Sequence, residues 1–107
     1  MKSSIKVDFN LKKVFISPHT PKTTMFYNLL KKEYPSIEIL GFIDKQKEAN
    51  NIFKIENIKF LDFDYIIVYS PNHFLIIYED YIKIVDKKKI INIEEKINKY
   101  LINDYKN

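Results

Sequence analysis

The order of segments predicts a three-layer α/β domain built on an open, mostly parallel sheet. Three observations carry this. Short apolar runs at residues 14–16, 37–43 and 65–69 have the near-continuous hydrophobicity of strands covered on both faces. Segments of helical period begin at Pro21 and at Phe74, so strand and helix alternate along the chain. The chain has 107 residues, of which 46% are hydrophobic and 30% charged. That is enough for one buried core and too little for two ordinary domains.

At the N-terminus Ile5, Val7, Phe9 and Leu11 alternate with polar neighbours. This period of two predicts an extra edge strand, or a tethered arm, within residues 1–12. Residues 13–93 form the core of the single domain. The first central strand, around Val14, Phe15 and Ile16, stops at Ser17-Pro18-His19-Thr20-Pro21, where two prolines deny the sheet its donors. Thr20 followed by Pro21 is a helix start of the N-cap and N1 kind. Met25, Phe26, Leu29 and Leu30 then mark one face, and the helix ends at about Tyr34, before Pro35. The run 37–43 follows as the second strand of a βαβ unit. Residues 44–51 read as a loop, and 52–58 as a short strand or one helical turn.

Tyr65-Ile66-Ile67-Val68-Tyr69 is the strongest strand, and it breaks at Ser70-Pro71-Asn72-His73, an echo of the break after Ile16. Phe74, Ile77, Tyr78, Tyr81 and Val85 recur at helical spacing. A hairpin pairing 81–85 with 89–93 is the alternative, but its turn lacks the glycine or asparagine that tight hairpins favour. Ile90, Ile91 and Ile93 form the last strand, and residues 94–107 a C-terminal helix with Ile97, Tyr100 and Leu101 inward. With right-handed crossovers the result is a small Rossmann-like sheet.

Composition excludes several functions. No cysteine is present, which removes disulfide scaffolds, thiolate metal sites and cysteine nucleophiles, and fits a reducing cytoplasm. No apolar stretch reaches the length of a membrane span, so the chain reads as soluble, without membrane insertion. The net charge is +4, yet every basic residue is lysine. Without arginine, and with lysines scattered among acids, nucleic acid is not the expected partner. The aromatic clusters Phe60-Phe63-Tyr65 and Phe74-Tyr78-Tyr81 read as core.

Ligands of open α/β sheets bind beyond the carboxyl ends of the strands, where the strand order reverses. That selects the loops after the first central strand and after Tyr69, which hold the chain's two histidines, His19 and His73. The candidate ligand-binding residues are Ser17, His19, Thr20, Lys22, Thr23, Asp44, Ser70, Asn72 and His73. Thr20, Lys22 and Thr23 open a helix whose amides attract anions, although plain capping also explains Thr20. Asp44 ends the second strand, where dinucleotide-binding folds place an acid for ribose hydroxyls. The glycine fingerprint for a pyrophosphate is missing, since Gly41 is the only glycine. His19 and His73 would suit an acid/base pair or, with Asp44, a metal, but a hydrogen-bonded loop histidine is the commoner case. No catalytic residue and no metal site is assigned.

The string Ile37-Glu38-Ile39-Leu40-Gly41-Phe42-Ile43-Asp44-Lys45 resembles the second strand of the Rossmann-like N-terminal modules of bacterial surface-polysaccharide proteins. These include sugar acetyltransferases, sugar-phosphate transferases and enzymes of the glycerophosphotransferase type. Residues 51–58, 64–72 and 88–93 are similar to the segments that follow in that family, so the likeness spans about residues 13–93. The resemblance implies a non-catalytic domain that binds a nucleotide or nucleotide-sugar and serves capsule or surface-carbohydrate biosynthesis, beside a partner enzyme. The family's first loop is glycine-rich, and here it is Ser17 to Thr24. The alternative is a ligand-free interaction module that docks on a partner enzyme. An exposed N-terminal edge strand would also allow a homodimer.

Overall fold

The computed structural model describes residues 8–46 and 49–93. Its elements are β1 (Lys13–Ser17), α1 (Pro21–Glu33), β2 (Glu38–Ile43), β3 (Ile52–Phe53), α2 (Ile55–Ile58), β4 (Tyr65–Val68), α3 (Phe74–Tyr81) and β5 (Ile90–Asn92), with a 3₁₀ turn at Lys87–Lys89. The five strands form one sheet in the order β3-β2-β1-β4-β5, and every strand pairing is parallel. This is the small Rossmann-like α/β sheet that the alternation of elements predicts.

Strand alternation distributes the core over two faces. Val14 and Ile16 of β1 and Ile67 of β4 pack with Phe26 and Leu30 of α1. Phe15, Ile66 and Val68 face the other way, onto Ile58 of α2 and Tyr81 of α3. β2 follows the same logic with one interruption. Ile39 and Phe42 join the α1 side while Leu40 and Ile43 join the other. The two faces therefore stay in phase only because one residue is extra. The register against β1 shifts there, from Val14 opposite Ile39 to Phe15 opposite Gly41. This bulge is centred on Gly41, with φ +155°. A Cβ at Gly41 would stand 2.7 Å from Phe53 Cε1 and 2.8 Å from the Asn51 carbonyl, so only glycine fits.

α1 starts as the sequence predicts. Thr20 and Thr23 form a reciprocal capping box, and Pro21 follows the cap. Its buried residues are Thr23, Phe26 and Leu30. Met25, expected inward, is 69% exposed, because the stripe runs at i, i+3 and i+7 from Thr23.

Three further expectations are corrected. Residues 8–12 are not a strand. Asp8 Oδ1 accepts the Asn10 amide at 2.9 Å, Lys12 N donates to the Phe9 carbonyl at 3.0 Å, and Leu11 has φ +65°. The chain turns there, which buries Phe9 against Tyr34 and Tyr65 and leaves Leu11 83% exposed. Ile5 and Val7 lie outside the described residues. The helix expected through Val85 ends at Tyr81; residues 82–85 continue as turns, with the Ile84 and Val85 amides both donating to the Tyr81 carbonyl. The hairpin alternative does not occur, because β5 runs parallel to β4 and Lys87–Lys89 is helical. Phe60 is 87% exposed rather than core. The open segment 52–58 supplies both a short strand, β3, and a helical turn, α2. The helix expected at 94–107 lies outside the described residues.

Candidate functional site

In the order β3-β2-β1-β4-β5 the chain winds outward from β1 to β3 and then returns to β4, beside β1. The loops leaving β1 and β4 diverge, and a crevice of about 410 Å³ opens between them. Pro18, Pro21 and Pro71 give it rigid apolar walls, and Tyr69, Thr20, Lys22 and Ser70 complete the lining. Of the nine predicted site residues, the crevice lining thus includes Thr20, Lys22 and Ser70.

The start of α1 limits what the crevice offers. The Thr20 amide donates to Thr23 Oγ1 at 2.9 Å, and the Thr23 amide to Thr20 Oγ1 at 3.1 Å. Thr24 N donates to the Thr20 carbonyl, and proline has no amide hydrogen. The Lys22 N–H is therefore the first-turn donor with no acceptor among the described residues. One amide, together with the exposed Lys22 ammonium, suits a single anionic group. It is not the multi-amide cradle of a glycine-rich loop.

The other predicted residues are placed differently. Ser17 is fully buried, and its Oγ is 2.6 Å from Tyr81 Oη. Burial pushes the Tyr81 phenol up to about 12, with the Ser17 hydrogen bond acting in the opposite direction. Thr23 is also fully buried, and its hydroxyl donates to the Pro18 carbonyl at 2.6 Å. Ser17 and Thr23 thus hold the loop in shape from beneath. The His19 ring packs edge-on against Phe42, with centroids 4.8 Å apart. Asn72 and His73 are exposed, and His73 sits at the N-cap of α3 without a side-chain capping bond.

Asp44 is nearly buried. Its Oδ2 accepts the His19 amide at 3.2 Å and its Oδ1 the Gln46 amide at 2.9 Å, so the carboxylate braces the loop that leads into the crevice. It lines a second cleft, between α2 and α3, together with Tyr81 and Lys54. Among the described residues no group of three histidines, aspartates or glutamates could hold a metal ion.

Sequence reasoning missed Tyr81 as the partner of Ser17 and the second cleft altogether. The helical spacing that marks Tyr81 is the signal of a core residue, and a hydroxyl in such a stripe is the one hint that a buried polar partner faces it. No helix among the described residues is long and apolar enough to cross a membrane. Neither the protein-family models nor the curated proteins contain a match to this sequence.

Proposed function

We propose that this domain binds a nucleotide or nucleotide-sugar through its phosphate, in the crevice between the β1–α1 and β4–α3 loops, as a non-catalytic accessory to surface-carbohydrate biosynthesis. The observation that carries the reading is the Lys22 amide and ammonium at a crevice sited where the strand order reverses. Thr20 shapes the helix start, Ser70 offers a hydroxyl from the opposite loop, and the three prolines offer apolar surface for a base or sugar. The likeness of residues 37–45 to the second strand of surface-polysaccharide modules gives the biosynthetic setting. The test is calorimetric titration of the intact chain with uridine diphosphate, UDP-glucose and inorganic phosphate. Binding that weakens at least about tenfold in Lys22→Ala supports the reading, and absence of binding by all three overturns it.

A second reading, an interaction module docking on a partner enzyme, is favoured by the outer face of α3. Leu75 is 70% and Ile76 59% exposed there, side by side, where a solvated helix would carry polar residues. Capture of the partner by this face would be abolished by Leu75→Glu with no loss of folded structure by circular dichroism.

A further inference from the structure

The second cleft has chemistry of its own. It encloses about 330 Å³ between the carboxyl end of β2, the first turn of α2 and the last turn of α3, within the size range of small-molecule sites. Ile43, Ile55 and Tyr81 give it an apolar and aromatic floor, and the charged groups stand around them. Lys45, Lys54 and Lys83 face Asp44, Glu56 and Asp80, so the formal charges cancel. A phosphate or carboxylate gains from three ammonium groups and is repelled by three carboxylates, so net charge gives an anion no advantage here. A neutral ring bearing hydroxyl groups gains from both, because each hydroxyl donates to a carboxylate and accepts from an ammonium. Lys45 and Asp80 are paired with each other, at 3.2 Å. Lys54, Lys83 and Glu56 have no ion-pair partner among the described residues, which leaves both donors and acceptors available.

We propose that the cleft between α2 and α3 is a binding site for a neutral sugar ring, separate from the anionic crevice at Lys22. The Ser17–Tyr81 and His19–Asp44 hydrogen bonds join the lining of this cleft to the residues on either side of Pro18, which lines the crevice, so the two sites are neighbours. The inference stands on this cleft alone and holds or fails independently of nucleotide binding.

The test is ¹⁵N NMR titration of the intact chain with glucose, N-acetylglucosamine and maltose at up to tens of millimolar, with inorganic phosphate as the anionic control. The expected result is saturable shifts confined to the amides of residues 43–45, 54–56 and 80–84 with at least one sugar. Affinity should fall at least about tenfold in the Lys54→Ala/Glu56→Ala double variant and stay unchanged in Lys22→Ala. Both substituted side chains lack ion-pair partners among the described residues, and an unchanged spectrum elsewhere verifies the fold of the variant. Absence of shifts with all three sugars, sugar shifts that persist in the double variant, or stronger shifts with phosphate would each overturn the proposal.

Discussion

The hydroxyls of Ser17 and Tyr81 meet 2.6 Å apart inside the layer between the sheet and α3, joining the last residue of β1 to the last residue of α3. Ser17 is fully buried and Tyr81 7% exposed, so removing one partner strands the other away from water. Tyr81→Phe should therefore cost about 1–3 kcal/mol of stability. Ser17→Ala should cost a similar amount, and the double variant less than the two together. Urea denaturation of the four proteins in a double-mutant cycle checks this, and strict additivity would mean that the hydroxyls are not coupled.

The same tyrosine fixes an alkaline pH dependence. Its phenol is raised from 10.0 to about 12, chiefly by burial. The unfolded chain gives up this proton first, so between pH 10 and about 12 the folded state binds more protons and stability falls as pH rises. Below pH 10 the contribution is fully present. The loss attributable to Tyr81 is about 2 kcal/mol; it should be absent from Tyr81→Phe and so appear as the pH-dependent part of the stability difference between wild type and that variant across the same range.

Gly41→Ala should destabilise by about 2–4 kcal/mol, combining the strain of φ +155° with a Cβ 2.8 Å from the Asn51 carbonyl. Truncating Phe53 would remove only one of the two clashes, so Phe53→Ala should fail to rescue Gly41→Ala. Thermal unfolding of the single and double variants decides it.

These positions also mark how far the sequence could be read. The strands around Val14 and Ile67 are legible because they are apolar on both faces, and the Thr20-Pro21 start because capping is a local event. The loops after β1 and β4 were selected by a rule about parallel sheets, and the structure does open a crevice there. Leu11, Met25 and Phe60 are exposed although their patterns predict burial, because local periodicity does not say where the chain turns or which neighbour covers a face. The Gly41 bulge was hidden for a related reason: an uninterrupted apolar run looks the same with or without an extra residue. Asp44 directly follows β2, where the apolar run 37–43 places it. That its carboxylate accepts the His19 amide and lines the cleft between α2 and α3 depends on partners about 10 to 40 residues away, and no short window of sequence contains them.

Thr20→Ala and Lys22→Ala should separate folding from binding at adjacent positions. Loss of the capping box should cost Thr20→Ala about 1 kcal/mol. Lys22, with an exposed side chain at the second helical position, should leave stability within about 0.5 kcal/mol of wild type. Chemical denaturation of both variants without ligand checks the pair.

Thermal unfolding of wild type and Lys22→Ala with uridine diphosphate and UDP-glucose tests anionic binding in the crevice most directly. At 100 times its dissociation constant a ligand adds about 2.7 kcal/mol, a rise of several degrees in midpoint. The account predicts that rise in wild type and, at the same ligand concentration, no more than about half of it in Lys22→Ala, because a tenfold weaker site leaves about 1.4 kcal/mol. A midpoint that neither compound moves, or a rise of equal size in both proteins, would contradict it.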